Sequence, residues 1–560
     1  MGQIRPRNRG VEDSGLIPMN EAHISLADTS PPAKAPAGWL RWILPSTAEV
    51  CFITLLLIML FSRVSQYYFL DGDPGWHIRA GQHILETHRI PHSDVFSFSM
   101  PHAWWVAYEW GTETIFAALH GRYGLNGVVL FIVLVLASSY TLLYKLLRDE
   151  GFSFLLSFPL LLFVILGSSF HWAARPHVVS YLFVIPFFYF LDRFAQGKIA
   201  PRRMWILPVM MVLWVNLHPG FIAGVTLVVT FFLGSVIEYI FAQSMQRPAL
   251  RFKIVSTGRV AALTVAATLF NPNGYKLYIY LYEYFKTVHH LHMMNELTSP
   301  IFQLAIFQPF LLAVIALIFL TRYSRYQLRV DEVLNLTIWI ALGLVSLRNI
   351  PVMFLICAPI YARMLLGLKQ PLAEGLSRVP KIRAGGDRFI RRFELAVSLE
   401  RQFNRHLSSS ACVLILIWIV VHHGYWGGQR LMDFRFLEER GYPAAAVEFL
   451  KTHRPPGHVF NEWTMGGYLI YNFYPNIKVF VDGRTDLYGE AFTQQYVDLI
   501  NTPNAVNGKE NWKEVFDRYH IQWVMIRPEF ALRCVLDSDP DWKRVFLDEN
   551  CVIFIRQEMG

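Results

Sequence analysis

The sequence predicts a polytopic α-helical membrane protein that ends in a small extracytoplasmic α/β domain. Of its 560 residues, 54% are apolar and 17% are charged, whereas ordinary soluble domains have about 25% charged residues. The apolar residues are gathered in long runs, and most Lys and Arg lie in the short gaps between them. After Gly424 these runs stop, and short apolar segments alternate with helix-like stretches. These three observations together predict the fold class.

The chain divides into three predicted regions. Residues 1–45 are polar and proline-rich and have no apolar core like that of a signal peptide, so we expect a disordered cytoplasmic tail. Residues 46–423 form the predicted transmembrane module, whose first outer loop, residues 68–124, is long. Residues 424–560 form the predicted extracytoplasmic α/β domain.

About eleven apolar runs are candidates for membrane spans. In chain order they are 48–67, 125–144, 152–170, 178–192, 204–217, 220–241, 260–270, 302–321, 333–347, 351–367 and 411–423. Some runs are short, 260–270 above all, so tilted, re-entrant or longer helices are alternatives at these places.

The basic residues predict the orientation. If the N-terminus is inside, the inner segments carry about four times as many Lys and Arg as the outer loops that precede the C-terminal domain. An odd number of spans then places the C-terminal domain outside. Nucleic-acid binding is not expected, because the basic residues lie between spans rather than on a soluble patch interleaved with aromatic residues.

The stretch 70–77, Leu-Asp-Gly-Asp-Pro-Gly-Trp-His, follows the first span. It places Asp71, Asp73 and His77 at the outer membrane surface. Asp, Gly and Pro are also turn residues, so a plain turn is the alternative for this stretch taken alone.

Further polar residues are expected on the same side. Glu109 lies in the first outer loop, and Arg175, His218 and Arg348 lie at the outer ends of later spans. The inner gaps hold basic residues but no comparable cluster of histidines or carboxylates, and the spans are nearly free of buried charge. Polar residues close to the bilayer tend to mark a functional path. This one-sided distribution therefore predicts a site at the outer face.

The two outer arginines run against the positive-inside bias. A guanidinium can bind phosphate through its planar fork, so Arg175 and Arg348 are candidates for phosphate binding. Contact with a lipid headgroup, or a salt bridge to the acidic loop, is the alternative for both.

In the C-terminal domain, Val481–Asp486 is predicted to be a strand followed by a tight turn. We expect Asp482 and Arg484 to form an internal ion pair that fixes this turn, in preference to a catalytic role. The domain as a whole is expected to cover the site or to hold an acceptor.

Several motifs in this chain resemble those of a known family. They are Asp73-Pro74-Gly75-Trp76-His77-Ile78-Arg79-Ala80-Gly81, Ile90-Pro91-His92-Ser93-Asp94, Glu109-Trp110, Trp214-Val215-Asn216-Leu217-His218-Pro219-Gly220, Gly466-Gly467-Tyr468-Leu469-Ile470 and Val481-Asp482-Gly483-Arg484. With the long first outer loop and the exported α/β domain, they resemble a bacterial branch of the GT-C superfamily, which consists of integral-membrane glycosyltransferases that use polyprenyl-phosphate-linked sugars. The resemblance covers most of residues 45–560.

The resemblance implies a GT-C-like fold in the cell inner membrane. It also implies a lipid-linked sugar donor, contacts with membrane lipids, and a glycan, lipid or protein acceptor. The better-known mannosyltransferases have an Asp-Glu pair in the first loop, whereas this chain has Asp71-Gly72-Asp73. The division of roles between catalytic base and metal ligand therefore stays open.

An inverting sugar transfer needs a carboxylate that takes the proton of the acceptor hydroxyl, which contributes about 10²–10⁴-fold to the rate. Asp71 or Asp73 is expected to be this catalytic base. The phosphate leaving group needs positive charge, which Arg348 and Arg175, with His218, would supply.

His77 and Glu109 complete the predicted substrate-binding set. Asp71, Asp73 and Glu109 could also hold a divalent cation through oxygen ligands, so Mg²⁺ or Mn²⁺ is the one cofactor that these residues would support.

Two other classes of function remain as alternatives. One is a transporter or flippase of a lipid-linked sugar, which should place polar residues at mid-membrane or on the inner face. The other is a scaffold whose exported domain binds a partner.

Overall fold

The structure is a computed structural model. It describes residues 44–69, 72–290, 297–368, 407–436, 442–506 and 510–557, with only the backbone at 285–290 and 505. The predicted N-terminal tail, apart from its last two residues, and Asp71 lie outside the described residues.

The membrane module is built from helices. In chain order they are α1 (Thr47–Phe61), α2 (Asp73–Thr87), α3 (Trp110–Asp149), α4 (Phe154–Ser168), α5 (Val179–Ala195), α6 (Ile206–Val215), α7 (Phe221–Phe241), α8 (Arg247–Ala267), α9 (Lys276–His290), α10 (Gln308–Tyr323), α11 (Val330–Val345), α12 (Ile350–Leu366) and α13 (Leu407–Val421). Each predicted apolar run coincides with one of these helices.

Six helical segments within the described residues are long and apolar enough to cross a membrane. They are Trp110–Asp149, Phe154–His171, Pro176–Ala195, Phe221–Phe241, Ala305–Tyr323 and Leu347–Leu366. The helices α1 and α13 are apolar but shorter. The prediction of about eleven spans is therefore not confirmed, whereas the helical membrane module is.

The predicted span 260–270 is part of a longer helix, one of the alternatives given for this run. It corresponds to the end of α8, a helix that begins at Arg247 and also carries Arg251, Lys253 and Arg259. Arg and Lys have high helix propensity, so the helix continues through the basic stretch that the sequence assigns to an inner gap. Hydropathy predicts only the apolar C-terminal part of α8.

The first outer loop is largely helical. It contains α2 and the first part of α3, which is kinked at Gly124. The φ of Gly124 is 63°, in the left-handed region that glycine adopts without a steric penalty. The kink separates the part of α3 that belongs to the outer loop from the predicted span 125–144.

The C-terminal domain combines helices with a small mixed sheet. Its elements are a short hairpin of β1 (Tyr425–Trp426) and β2 (Gln429–Arg430), then α14 (Ala444–Thr452), β3 (His458–Asn461), α15 (Trp463–Phe473), α16 (Thr485–Asn501), α17 (Trp512–Arg518), β4 (Ile521–Ile526), α18 (Ala531–Ser538), β5 (Trp542–Leu547) and β6 (Val552–Arg556). The sheet order is β3-β4-β6-β5, with β3 parallel to β4 and the other pairs antiparallel. The prediction of a small C-terminal α/β domain is confirmed.

The C-terminal domain packs closely on the first outer loop. Where α15 crosses the start of α2, a Cβ atom on Gly467 would lie 2.3 Å from the carbonyl oxygen of Gly72, and one on Gly75 would lie 2.5 Å from that of Gly467. Only glycine permits this approach. The N–H of Phe98 also donates to the carbonyl of Val479 at 3.1 Å. These contacts hold the segment before α16 against α2.

A buried group of charges, the distal network, lies where α5 and α12 end. The Arg363 side chain is 6% exposed, and its Nη1 lies 2.9 Å from Asp192 Oδ1 and 2.7 Å from Glu332 Oε1. Arg329 Nη2 lies 2.6 Å from the same Asp192 oxygen. The prediction that the polar residues are one-sided, with spans nearly free of buried charge, is wrong. Single charges at helix ends are outweighed by the apolar residues around them when hydropathy is averaged along the chain.

Candidate active site

The described residues of the predicted site all lie at helix ends on one side of the membrane module. Asp73 and His77 lie in the first two turns of α2, Glu109 lies directly before α3, Arg175 lies shortly before α5, His218 lies between α6 and α7, and Arg348 lies just before α12. Asp71, the other predicted base, lies outside the described residues.

Asp73 forms an ion pair with Arg175. Asp73 Oδ2 lies 2.7 Å from Arg175 Nη2, and about a fifth of each side chain or less is exposed (20% and 16%). The first turn of α2 also favours a carboxylate at this position, because a helix N-terminus is electropositive. A Cβ atom on Gly483 would lie 1.8 Å from Asp73 Oδ1. A turn of the C-terminal domain therefore lies directly against this carboxylate.

An acid–histidine cluster lies one helical turn farther along α2. His77 is on the same face as Asp73, and Glu113 follows Glu109 at the same four-residue interval. His77 Nδ1 lies 3.0 Å from Glu113 Oε1 and 3.6 Å from Glu109 Oε2. The His77 and Glu113 side chains are buried, and 11% of the Glu109 side chain is exposed.

His218 approaches Glu109 from the other side. Its Nε2 lies 3.3 Å from Glu109 Oε1. The N–H of Gly220 donates to His218 Nδ1 at 2.8 Å, and Ser180 Oγ lies 2.8 Å from the same atom. Because Nδ1 accepts, the neutral imidazole carries its proton on Nε2, which donates it toward Glu109.

The surroundings hold a proton on Glu109. Burial raises the pKa of Glu109 to about 8, with Arg348 and Arg175 opposing the rise and Asp486 and Asp73 adding to it. Burial also lowers the pKa of both His77 and His218, and nearby arginines add to this effect. At neutral pH the cluster therefore contains two neutral imidazoles and a carboxyl group that is mostly protonated.

Two further elements close the site. The Nη1–H of Arg348 donates a hydrogen bond to Tyr284 Oη of α9 at 3.1 Å. The Tyr280 hydroxyl, also on α9, donates to Asp486 Oδ2 at 2.5 Å. Desolvation raises the pKa of Asp486. Thus α9 and the start of α16 bring polar groups to the cluster that the first outer loop and the helix ends form.

The residues His77, Glu109 and Glu113 fit a divalent cation. One ligand atom from each lies within 4.8 Å of the others. Glu113 Oε2 is buried and has no hydrogen-bond partner among the described residues. The 3.0 Å between His77 and Glu113 also matches the separation of about 3 Å between two ligands held at right angles, about 2.1 Å from one ion. The unpartnered oxygen is the observation that favours a cation.

This set differs from the predicted metal set. Of Asp71, Asp73 and Glu109, only Glu109 belongs to the group that has ligand spacing among the described residues. Asp73 is instead paired with Arg175, whose guanidinium takes the place that a cation would have. The set of Asp71, Asp73 and Glu109 stays a prediction, beside the group His77, Glu109 and Glu113 that has ligand spacing among the described residues.

Sequence reasoning missed two residues of the site. Glu113 carried a usable signal, since its four-residue spacing from Glu109 places both on one helix face. Asp486 carried none, because its approach to the cluster depends on how the C-terminal domain docks.

The predicted ion pair within the C-terminal domain is present. Arg484 Nη2 lies 2.7 Å from Asp482 Oδ2, and Nη1 lies 2.8 Å from Asp94 Oδ1 of the first outer loop. The guanidinium is buried and stacks 4.7 Å from the centre of the Trp105 ring. This pair fixes the turn and also fastens it to the loop, which positions Asp486.

No known family model matches this chain, and no curated protein matches it in sequence. Two of the solved structures that resemble it are the following. The archaeal oligosaccharyltransferase AglB from Archaeoglobus fulgidus, in complex with an inhibitory peptide and a dolichol-phosphate, is 10% identical with a TM-score of 0.46, over 86% of this chain and 69% of AglB. ArnT from Cupriavidus metallidurans, bound to undecaprenyl phosphate, is 12% identical with a TM-score of 0.46, over 93% of this chain and 98% of ArnT.

AglB and ArnT are both GT-C glycosyltransferases, the superfamily that the sequence motifs resemble. At this level of similarity the likeness carries no argument about this chain. It assigns neither a substrate nor a residue of the site.

Proposed function

We propose that this chain is a membrane glycosyltransferase that moves a sugar from a polyprenyl-phosphate-linked donor to an acceptor at the outer face. The observation that supports this most strongly is the convergence of cations and carboxylates from distant helix ends. Arg175 is paired with Asp73, and both Arg175 and Arg348 act electrostatically on Glu109. One region of the protein therefore combines basic groups that suit an anionic phosphate with acidic groups that can take up or release a proton.

The two arginines serve the phosphate. As the bond between the anomeric carbon and the phosphate oxygen breaks, the electron pair goes to that oxygen and negative charge develops on it. Guanidinium groups that are already in place stabilise such charge. Arg175 is oriented by Asp73, and Arg348 is oriented by the Tyr284 hydroxyl.

Asp73 is the catalytic base in this proposal. Its carboxylate lies in the first turn of α2 and 2.7 Å from the Arg175 guanidinium. Its carboxylate takes the proton of the acceptor hydroxyl as the hydroxyl oxygen attacks the anomeric carbon, which inverts the configuration. Glu109 suits this role less well, because it holds a proton up to a pH of about 8. Asp71 stays a second candidate on sequence grounds alone.

The acid–histidine cluster would hold the cation. His77, Glu109 and Glu113 supply one nitrogen and carboxylate oxygens, a donor set that suits Mn²⁺. A bound divalent cation would add positive charge near the phosphate. Without it, His218 and His77 still hold the two carboxyl groups in place through the contacts described above.

The C-terminal domain closes this pocket in our proposal and offers a surface for the acceptor. Gly483 lies against Asp73, and Asp486 is held by Tyr280 near the same cluster. An acceptor hydroxyl would then reach Asp73 along the face that this domain covers.

The test is transfer by the purified full-length protein. It is incubated with radiolabelled polyprenyl-phosphate sugars and crude membrane acceptors, and label in the acceptor fraction is counted. We expect Asp73→Asn to abolish transfer and Glu86→Gln, an exposed acid on the same helix, to retain it. Full transfer by folded Asp73→Asn would refute the assignment of the base.

One observation favours a second candidate, a flippase or transporter of a lipid-linked sugar. Such a protein needs polar groups away from the outer face, and the buried Asp192, Glu332 and Arg363 provide them. Proteoliposomes with labelled lipid-linked sugar and no acceptor separate the two. Movement of the intact lipid between leaflets would support transport, whereas cleavage that requires an acceptor supports transfer.

A further inference from the structure

A cavity of about 590 Å³ lies at the end of the membrane module opposite to the candidate active site. Two helices connect the two places. The helix α5 runs from Ser180, which contacts His218, to Asp192 of the distal network, and α12 runs from Ile350, next to Arg348, to Arg363. At 1.5 Å per residue, each path is about 18–20 Å long. The cavity, here called the distal pocket, is therefore separate from the candidate active site.

Positive charge dominates the lining of the distal pocket. Lys198, Arg325, Arg329 and Arg363 all line it, and Glu150 is the one carboxylate among the lining residues that the structure describes. Arginine and lysine together are the usual ligands of phosphate groups, arginine through its planar fork and lysine as a point charge. The composition of the lining thus favours an anion.

The two arginines of the floor are held in fixed positions. Arg329 Nη2 lies 2.8 Å from Asp331 Oδ2 and 2.6 Å from Asp192 Oδ1. Arg363 is held by Asp192 and Glu332 at 2.9 and 2.7 Å. These three carboxylates, unlike Glu150, are not among the lining residues that the structure describes. They fix the guanidinium groups before any ligand arrives, which lowers the cost of ordering them on binding.

One donor of this floor is unused. Arg363 Nη2 is buried and has no hydrogen-bond partner within the described residues, while Nε and Nη1 of the same group are engaged. The side chain is 6% exposed. A buried donor without an acceptor is unfavourable, and an oxygen of a bound anion would satisfy it.

Two basic residues form the rim of the distal pocket. Lys198 and Arg325 are exposed, and both line the pocket. Three carboxylates behind the floor, Asp192, Asp331 and Glu332, more than offset the charge of Arg329 and Arg363. The attraction for an anion therefore depends on the basic residues of the rim and on the unused donor of Arg363.

From these observations we propose that the distal pocket binds a phosphate group, carried by free phosphate or by the headgroup of an anionic lipid. The floor arginines donate hydrogen bonds from fixed positions, and Lys198 and Arg325 neutralise the charge. This site is independent of the proposed transfer reaction, and neither needs the other.

The experiment measures binding to the full-length protein in uncharged detergent. One arm titrates radiolabelled inorganic phosphate by equilibrium dialysis. The other adds phosphatidylglycerol or phosphatidylcholine and counts retained lipids by native mass spectrometry. We expect saturable binding of inorganic phosphate, of phosphatidylglycerol, or of both, and little of phosphatidylcholine. The double variant Lys198→Gln/Arg325→Gln should weaken it by at least about tenfold, because two charge-assisted contacts are lost.

The matched control is Arg202→Gln/Arg203→Gln. These arginines are exposed, follow Lys198 closely in the chain and do not line the pocket, so the control removes the same charge from the same region. It should bind like the wild type. If Lys198→Gln/Arg325→Gln loses binding of inorganic phosphate, the site is assigned to free phosphate. If this variant loses only the retention of phosphatidylglycerol, the site is assigned to a lipid headgroup. Absence of saturable binding of either probe, or equal weakening by both double variants, would overturn the proposal.

Discussion

The candidate active site and the distal network both bury acids at helix ends, yet they satisfy them differently. In the distal network, Asp192 and Glu332 each lie within 2.9 Å of an arginine nitrogen. In the candidate active site, Glu109 and Glu113 face neutral imidazoles at 3.0 to 3.6 Å instead. The first arrangement pairs its acids with arginines, whereas the contacts of the second are with imidazoles.

This difference indicates what each region does. A buried ion pair with both partners present is tolerated, and removing one partner is costly. Buried acids that lack a cation shift their pKa instead, and such shifts concentrate at functional sites. Glu109, with a pKa of about 8, belongs to the second class. We therefore expect the outer cluster to respond to protons and metals and the distal network to respond to loss of a side chain.

The largest expected effect is on transfer by Asp73→Asn. Removal of the base should lower the rate by about 10²–10⁴-fold. The melting temperature should change little, because the side chain is partly exposed and Asn keeps its volume. The two measurements are acceptor labelling and thermal unfolding of the same preparation. If the melting temperature of Asp73→Asn fell while its transfer rate stayed normal, Asp73 would have a structural rather than a catalytic role.

The distal network should show the reverse behaviour. Arg363→Met leaves Asp192 and Glu332 buried with less positive charge, so we expect a loss of about 3–5 kcal/mol in the free energy of unfolding. Arg322→Met, an exposed arginine at the end of α10, serves as the control and should stay within about 0.5 kcal/mol of the wild type. Chemical denaturation in detergent measures both. Equal stability of the two variants would contradict the contrast drawn between the regions.

The pH dependence of stability tests the outer cluster. In the folded, metal-free protein Glu109 keeps its proton up to a pH of about 8, whereas in the unfolded chain it loses it near its ordinary value of 4.5. Between these two pH values the folded state binds more protons than the unfolded state does. The contribution of Glu109 is therefore fully present below about pH 4.5 and is lost as pH rises through about 8.

Glu109→Gln removes this dependence, because the amide resembles the protonated acid and does not titrate. With EDTA present, the variant should become more stable than the wild type as pH rises from 5 to 8.5, by roughly 3 kcal/mol at the upper end. Comparison of the two proteins at each pH cancels all other titrating groups. A difference that stays constant with pH would show that Glu109 titrates normally.

The local features of this fold were predictable from the sequence. Apolar runs marked the helices because lipid and core both select apolar residues over consecutive turns. Asp482 and Arg484 were recognised as a pair because two residues of separation keep them in one turn. Arg175 and Arg348 were singled out because cations at the outer ends of spans oppose the usual bias.

The features that were missed depend on distant parts of the chain. Asp192, Arg329 and Arg363 meet only after three helices have packed, and each is a single charge beside an apolar run. The close approach of Gly467 to Gly72 brings the C-terminal domain to the site, and neither glycine indicates its partner. Packing geometry, rather than composition, decides such contacts.

The smallest of the expected effects concerns the metal. It decides between the ligand set predicted from the sequence and the one that has ligand spacing in the structure. Mn²⁺ at about 100 times its dissociation constant should raise the free energy of unfolding by about 2.7 kcal/mol. Glu113→Gln should weaken Mn²⁺ binding by at least about tenfold, because a carboxylate that has no other partner for one of its oxygens is lost. Asp73→Asn, the matched acid-to-amide control, should bind Mn²⁺ as the wild type does, since Arg175 holds that carboxylate. If Asp73→Asn lost the metal and Glu113→Gln kept it, the ion would be bound by the aspartates of the first outer loop. The candidate active site and the distal network would then not differ in whether their buried acids bind a metal ion.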